Sequence, residues 1–462
     1  MEPWMLSATD ASELIRTREL SPVELTESVL GRIDAVEDRV GAFATVTADA
    51  ALVRARAAEA EIAAGNYRGP LHGLTYGMKD LVNTAGVRTT SSSRTRADYV
   101  PEEDGAVVEL LDAAGAVMVG KTHTHEFAFG VITPTTRNPW NLEHIPGGSS
   151  GGSGAALAAG MCHLGIGTDT GGSIRIPSAV CGVTGLKPTY GRVSRRGVAS
   201  LSWALDHIGP MARTVADVAL MLQHVAGYDR SDPASRDVPV PDYSASLDVG
   251  VQGLRIGVPT NYFFDNIDPA VAAAVRGLAD RLGQAGADVV DAQIPMPTAY
   301  MPVEYCIFLA EASAYHQQRI REQADEFEPD VRLLLEAGEM VPATDYIRAL
   351  RVRTLLQQGW RDLFNSGLDA VLAPTIPNVA ARVGQDTFDR WGVTEAVIDS
   401  YVRTSAPGNL TGLPTMSVPC GLSDGLPIGA QIIGRPYDEA TVLRVGSVAE
   451  STYAEAGRMP QL

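Results

Sequence analysis

Lysine is nearly absent from this chain. Of 37 basic residues only Lys79, Lys121 and Lys187 are lysine, and the other 34 (37 − 3) are arginine. Arginine stays charged at ordinary pH, whereas a buried lysine can give up its proton. A general preference for arginine explains the scarcity. It does not explain why all three lysines fall between positions 79 and 187, which points to sites that need something arginine cannot supply.

Cysteine is scarce too. Cys162, Cys181, Cys306 and Cys420 are scattered and form no CxxC pair, so they read as small buried residues. Acids outnumber bases, 55 to 37, for a net charge of −18. Phosphate neutralisation needs basic clusters, so nucleic acid is not expected as a direct partner. No apolar run reaches the roughly 18 residues that cross a bilayer, so no membrane association is expected. The N-terminal MEPWMLSATDASEL lacks a basic segment leading into an apolar core, so no signal peptide is expected and the expected location is the cytoplasm. His123-Thr124-His125-Glu126 lacks the i, i+4 histidine spacing of metal-binding helices and is expected to be a metal-free loop beside the site. No P-loop sequence is present, and no cofactor is expected.

The 462 residues are 45% apolar with a mean hydropathy of +0.01, as expected of a soluble globular protein. Helices are predicted over Thr9–Arg18, from Pro22 to about Val36, and over Ala48–Ala64. Ser21-Pro22-Val23-Glu24 is a capping box with proline at the first helical position. From Leu71 onward, strand-like and helical stretches alternate, which predicts an α/β fold with a mainly parallel sheet. Ser231 to Tyr243 reads as a long surface connection, after which strands and helices resume. The expected organisation is one domain over 1–462, with an N-terminal helical layer at about 1–68, a core at about 70–225 and a substrate-facing part at about 250–462.

The chain is organised around Pro146 to Pro188. Two glycine-flanked serine clusters lie there, Gly147-Gly148-Ser149-Ser150-Gly151-Gly152 and Gly171-Gly172-Ser173, with Ser149 and Ser173 separated by 24 positions (173 − 149). Glycine lets backbone approach a ligand closely. An Ala-rich helical segment and a short apolar strand join the clusters, so each is expected at an element end, where free N–H groups can meet negative charge. Gly147 to Gly151 also fits the GxSxG elbow of α/β-hydrolases. That fold needs a late histidine, and the last one, His316, lies in a helical stretch.

GGSSGGSG, GTDTGGSIRIPS and CGVTGLKPTYGR, in this order, resemble the amidase signature family of hydrolases, and the resemblance extends to the C-terminal LPIGAQIIGRPYDEATVLRV. It implies a single α/β/α domain with a large mixed, twisted sheet covered by helices on both faces. It implies Ser173 as nucleophile, Ser149 as a bridging serine after a cis peptide, and Lys79 as a neutral base. The backbone N–H groups of Thr170, Gly171, Gly172 and Ser173 would face the oxyanion. Ser150, Asp169 and Arg175 are expected as supports, and Thr168 as structural. The residues alone do not separate Lys79 from Lys121, since both follow apolar strand-like runs; the family pattern selects Lys79. Phe127, Ala128 and Phe129, with Trp203, are the candidate substrate-binding residues.

The implied activity is hydrolysis of small carboxamides, anilides or related carbamates and esters through an acyl-enzyme. The alternative is the glutaminase component of a tRNA-dependent amidotransferase. In that component an Asp precedes the Asn of a pattern like Asn409-Leu410-Thr411-Gly412-Leu413-Pro414 by seven residues; here that position is Val402. The expected partner is a small amide, carbamate or ester, with a homodimer left open.

Overall fold

The computed structural model describes residues 2–462. The chain runs α1 (Ala8–Thr17), α2 (Pro22–Val40), β1 (Phe43–Val46), α3 (Ala48–Ala63), β2 (Thr75–Lys79), α4 (Ala106–Ala113) and β3 (Val117–Thr122). It continues through α5 (Gly151–Ala158), β4 (Leu164–Asp169), α6 (Arg175–Cys181), β5 (Thr184–Lys187), β6 (His207–Ala212) and α7 (Val215–Val225). Next come β7 (Arg255–Pro259), α8 (Pro269–Gln284), β8 (Asp288–Ala292), α9 (Tyr300–Gln323), α10 (Pro329–Glu339), α11 (Ala343–Asn365) and β9 (Ala370–Pro374). The chain ends with β10 (Thr387–Arg390), β11 (Val393–Ala396), α12 (Val397–Thr411), β12 (Thr415–Ser423), β13 (Leu426–Gly434) and α13 (Glu439–Ser451). No described helix is long and apolar enough to cross a membrane.

Eleven strands form one sheet in the order β1-β3-β2-β4-β6-β5-β12-β13-β9-β7-β8. It is mixed, which corrects the mainly parallel sheet read from the alternation of elements. Only β2–β3, β2–β4, β7–β8 and β7–β9 run parallel. The β12–β13 hairpin turns at Asp424-Gly425, both with positive φ, and puts antiparallel pairs in the sheet centre. β6, with its His, Gly and Pro, has no strand signature, yet all six of its residues are buried. The N-terminal region, expected as helices alone, also supplies the edge strand β1.

Alternation along β9 shows why both faces need helices. Ala370 and Leu372 join the core under α1, α7, α8 and α13, while Val371 and Ala373 join the core under α2, α5, α6 and α9 to α12. The capping box closes as the sequence predicts: Glu24 N–H donates to Ser21 Oγ (3.1 Å) and Ser21 N–H to Glu24 Oε2 (3.0 Å). The parallel neighbours β2 and β4 end side by side, and their carboxyl ends carry Lys79 and Asp169. Ligand crevices in α/β sheets form outside such ends.

Candidate active site

Lys79 is the last residue of β2 and is fully buried. Its Nζ lies 2.8 Å from each of Ser149 Oγ, Ser150 Oγ and Thr168 Oγ1. Burial holds its pKa well below the usual lysine range, against the opposing pull of Asp169 and Asp206. Ser150 Oγ donates to Thr168 O at 3.2 Å. With that proton committed, Ser150 accepts from Lys79. Ser149 and Thr168 hydroxyls have no other side-chain commitment, so either can donate to the lysine nitrogen. The Gly148–Ser149 peptide is cis.

The segment after β4 is held by Asp169. Its carboxylate accepts from the N–H groups of Gly172 (2.9 Å) and Ile174 (3.1 Å), from Arg175 Nε and Nη2, and from Asn409 Nδ2 (2.8 Å). Burial alone would raise this acid; the charge and hydrogen bonds of Arg175, with Lys187 and Asn409, outweigh it and hold Asp169 below the usual carboxylate range. Arg175 is equally buried and also reaches Ser405 O, Gln431 Oε1 and Asn409 Oδ1. Gly172 adopts φ +116°, and a Cβ there would sit 2.6 Å from Ser405. The N–H groups of Thr170, Gly171 and Ser173 have no acceptor among the described residues. Gly172, predicted with them as an oxyanion donor, spends its hydrogen on Asp169.

Ser173 opens onto a narrow chamber of about 30 Å³ lined by Ala128, Phe129, Val131, Phe308, Ile398 and Val402, beside Thr170 and Gly171. A larger cavity of about 260 Å³ shares Ala128, Thr170 and Leu201 with it and extends past Thr168 and Asp206 to Trp203.

The sequence matches the Amidase family over residues 24–443. The chain belongs to the amidase family. It is 48% identical over 461 residues to an amidase of Pseudomonas putida, covering 99% of this chain and 98% of the relative. It is 44% identical to a glutamyl-tRNA(Gln) amidotransferase subunit of Roseiflexus sp. (strain RS-1), covering 99% and 98%. A solved structure described as a vestigial protein complex bearing on the origins of an s-triazine catabolic enzyme superposes with a TM-score of 0.93 at 35% identity, covering 97% and 98%. The chain is an amidohydrolase, acting on carbon–nitrogen bonds.

Within this amidase fold the three lysines part company. Lys121 donates to Val82 O, Thr84 Oγ1 and Thr89 Oγ1. Both threonine protons are already given to carbonyls, of Val82 and Val87. Lys121 therefore meets acceptors only, and burial, opposed by Asp80, brings it down to about 8. Lys187 donates to the carbonyls of Pro188 and Leu413. Only Lys79 has neighbouring hydroxyls whose protons are free to be donated to it.

The predicted substrate residues divide. Ala128 and Phe129 line the Ser173 chamber, and Phe129 meets Phe308 edge-on at 5.7 Å. Phe127 does not line it: positive φ at 127 and 128 turns its ring into His316 (4.3 Å) and Phe327 (5.9 Å). Trp203 is 60% exposed and lies under Arg195 at the rim of the larger cavity. Several residues of the site are not among those expected in it. Asp206 accepts Thr170 Oγ1 at 2.6 Å, and Asn409 braces Asp169 and Arg175. Glu304 on α9 is fully buried with both carboxyl oxygens unpartnered, one of them beside Gly171 and Val402. Burial pushes Glu304 well above the usual carboxylate range.

Proposed function

We propose that Ser173 attacks the scissile carbonyl with Ser149 and Lys79 as its proton relay. The observation that carries this is the hydroxyl shell of Lys79. A neutral amine has two N–H groups and one lone pair. Ser150 takes one hydrogen; in the relay Thr168 takes the other, which leaves the lone pair for the Ser149 proton. In water, deprotonating lysine at pH 7 costs about 4.6 kcal/mol, and burial offsets that cost by disfavouring the charged form.

As the Ser173 oxygen bonds to carbon, its proton passes to Ser149 and the Ser149 proton to Lys79. The carbonyl oxygen becomes an oxyanion facing the N–H groups of Thr170, Gly171 and Ser173, donors that need no reorganisation. The C–N bond then breaks, and the relay returns the proton to the leaving amine. Water hydrolyses the acyl-enzyme by the same route. Asp169 and Arg175 hold the loop in register. The lining of Phe129, Val131, Phe308, Ile398 and Val402 favours a small amide, anilide, carbamate or ester with an apolar acyl group.

A fluorophosphonate should label Ser173 and abolish hydrolysis of a hydrophobic anilide. Peptide mass mapping that put the adduct on Ser149 alone would overturn the assignment. The likeness to a glutamyl-tRNA(Gln) amidotransferase component gives the glutaminase reading its footing. Against it, position 402 presents an apolar wall. The isolated chain should hydrolyse the anilide and ignore free glutamine; glutaminase activity appearing only with added partner chains would reverse the order.

A further inference from the structure

A separate cavity of about 200 Å³ is lined by Arg96, Arg319, Tyr99, Tyr315 and Asn83, with residues 197–199 as one wall. Its charge is unusual for this molecule. The chain carries 55 acidic side chains against 37 basic ones, yet no Asp or Glu lines the cavity. Neither arginine has a carboxylate oxygen within 4 Å among the described residues. Arg96, only 9% exposed, donates to Ser91 Oγ at 3.2 Å and lies over the Tyr99 ring at 4.0 Å. Arg319 sits between the rings of Phe127 (5.4 Å) and Tyr315 (6.0 Å), with Nη1 3.4 Å from His316 Nδ1.

The two guanidinium groups act on the same space. Burial lowers Arg96, against the opposing pull of Tyr315 and Tyr99, and Arg319 adds a smaller lowering. His316 is pushed down to about 3 by burial, then by Arg319 and Arg96. The acid that reaches Arg96 electrostatically, Asp80, gives Oδ2 to Thr90 N–H and Oγ1, keeps Oδ1 buried without a partner, and pairs with neither arginine. Two like charges, part-desolvated and held by aromatic faces, repel each other and leave forked donors unused. An external anion relieves both costs at once.

We propose that this cavity binds a small oxyanion, a carboxylate or phosphate group shared between Arg96 and Arg319. Planar guanidinium pairs match such oxygens bidentately. The anion is either a free ligand or the acidic end of an amide substrate. Residues 197–199 also wall the larger cavity that reaches Thr168 and Thr170, and Phe127 precedes the two chamber residues Ala128 and Phe129. This site stands apart from the relay and does not rest on it.

The test titrates the intact protein with malonate and with inorganic phosphate at constant ionic strength, read by calorimetry and by melting temperature. At least one anion should bind saturably with Kd at or below about 1 mM. Arg96→Gln and Arg319→Gln should each raise Kd at least about tenfold, a loss of about 1.4 kcal/mol, and the double variant should abolish binding. Without anion the variants should melt no lower than wild type, since each removes an unpaired charge. Rates on paired amides with and without a terminal carboxylate identify the source. A KM increase in the variants confined to the carboxylate amide, with malonate competitive, marks a substrate end; non-competitive malonate marks a free ligand. Absence of saturable binding, or an equal Kd in wild type and either single variant, overturns the proposal.

Discussion

Removing the Asp169 carboxylate should damage stability and catalysis by separable amounts. Asp169 and Arg175 are both fully buried. Breaking a buried pair by deleting one partner costs about 3–5 kcal/mol, because the surviving charge is stranded. Unfolding entropy is about 2.1 cal/mol/K per residue, so a 462-residue chain has roughly 1 kcal/mol/K. Asp169→Ala should therefore lower Tm by about 3–5 °C. It also frees the N–H groups of Gly172 and Ile174 that fix the Ser173 loop. A misplacement near 1 Å can cost about 100-fold in rate, and kcat/KM should fall by at least that. Asp169→Ala with Arg175→Met removes both charges and should recover part of the Tm but none of the rate. Circular dichroism melts and initial rates on an anilide read the two effects. An Asp169→Ala variant melting within about 1 °C of wild type at undiminished kcat/KM would refute the bracing role.

Three further outcomes follow from the same geometry. Lys121→Met strips the buried Val82 carbonyl and the Thr84 and Thr89 hydroxyls of their shared lysine donor, leaving Val82 only the longer bond from Thr84, so it should cost about 1–3 kcal/mol of stability in denaturant titration while kcat/KM stays within about tenfold. Gly172→Ala drives a Cβ into Ser405 at positive φ and should lose about 1–3 kcal/mol and at least about 100-fold in rate; a rate near wild type would show that the loop has room. Burial lowers Lys79, so between its folded pKa and about 10.4 the unfolded chain binds the extra proton and stability rises with pH. Wild-type stability minus that of Lys79→Met should climb with pH across that window, by up to about 1.4 kcal/mol per pH unit; a flat difference would place the proton wrongly.

The serines are legible in the sequence because they sit in one contiguous stretch whose glycines and small residues have a local geometric reason. Helix starts such as Ser21-Pro22 are legible for the same reason. Strand direction is harder to read: β6 looks like a turn, and its strand character comes from β4 and β5 pairing on either side. Lys79 and Lys121 look alike along the chain. What separates them is where threonine and serine protons go, and those partners lie 32 to 89 positions away. Phe127 departs from expectation because two consecutive positive φ values reverse its side-chain direction, and nothing in Glu-Phe-Ala-Phe announces them. Glu304 and Asn409 reach the site from α9 and α12, which no local pattern links to Gly171.

The most direct test of the relay is Lys79→Arg. Arginine supplies hydrogen-bond donors, but its pKa above about 12 keeps it charged and denies it a lone pair. If Lys79 works as a neutral base, the variant should keep a wild-type circular dichroism spectrum and a cooperative melt, at a Tm lowered by the buried charge, and lose at least about 1,000-fold in kcat. Lys121→Arg should lose far less. A folded Lys79→Arg enzyme retaining about a tenth of wild-type kcat would contradict the neutral-base role.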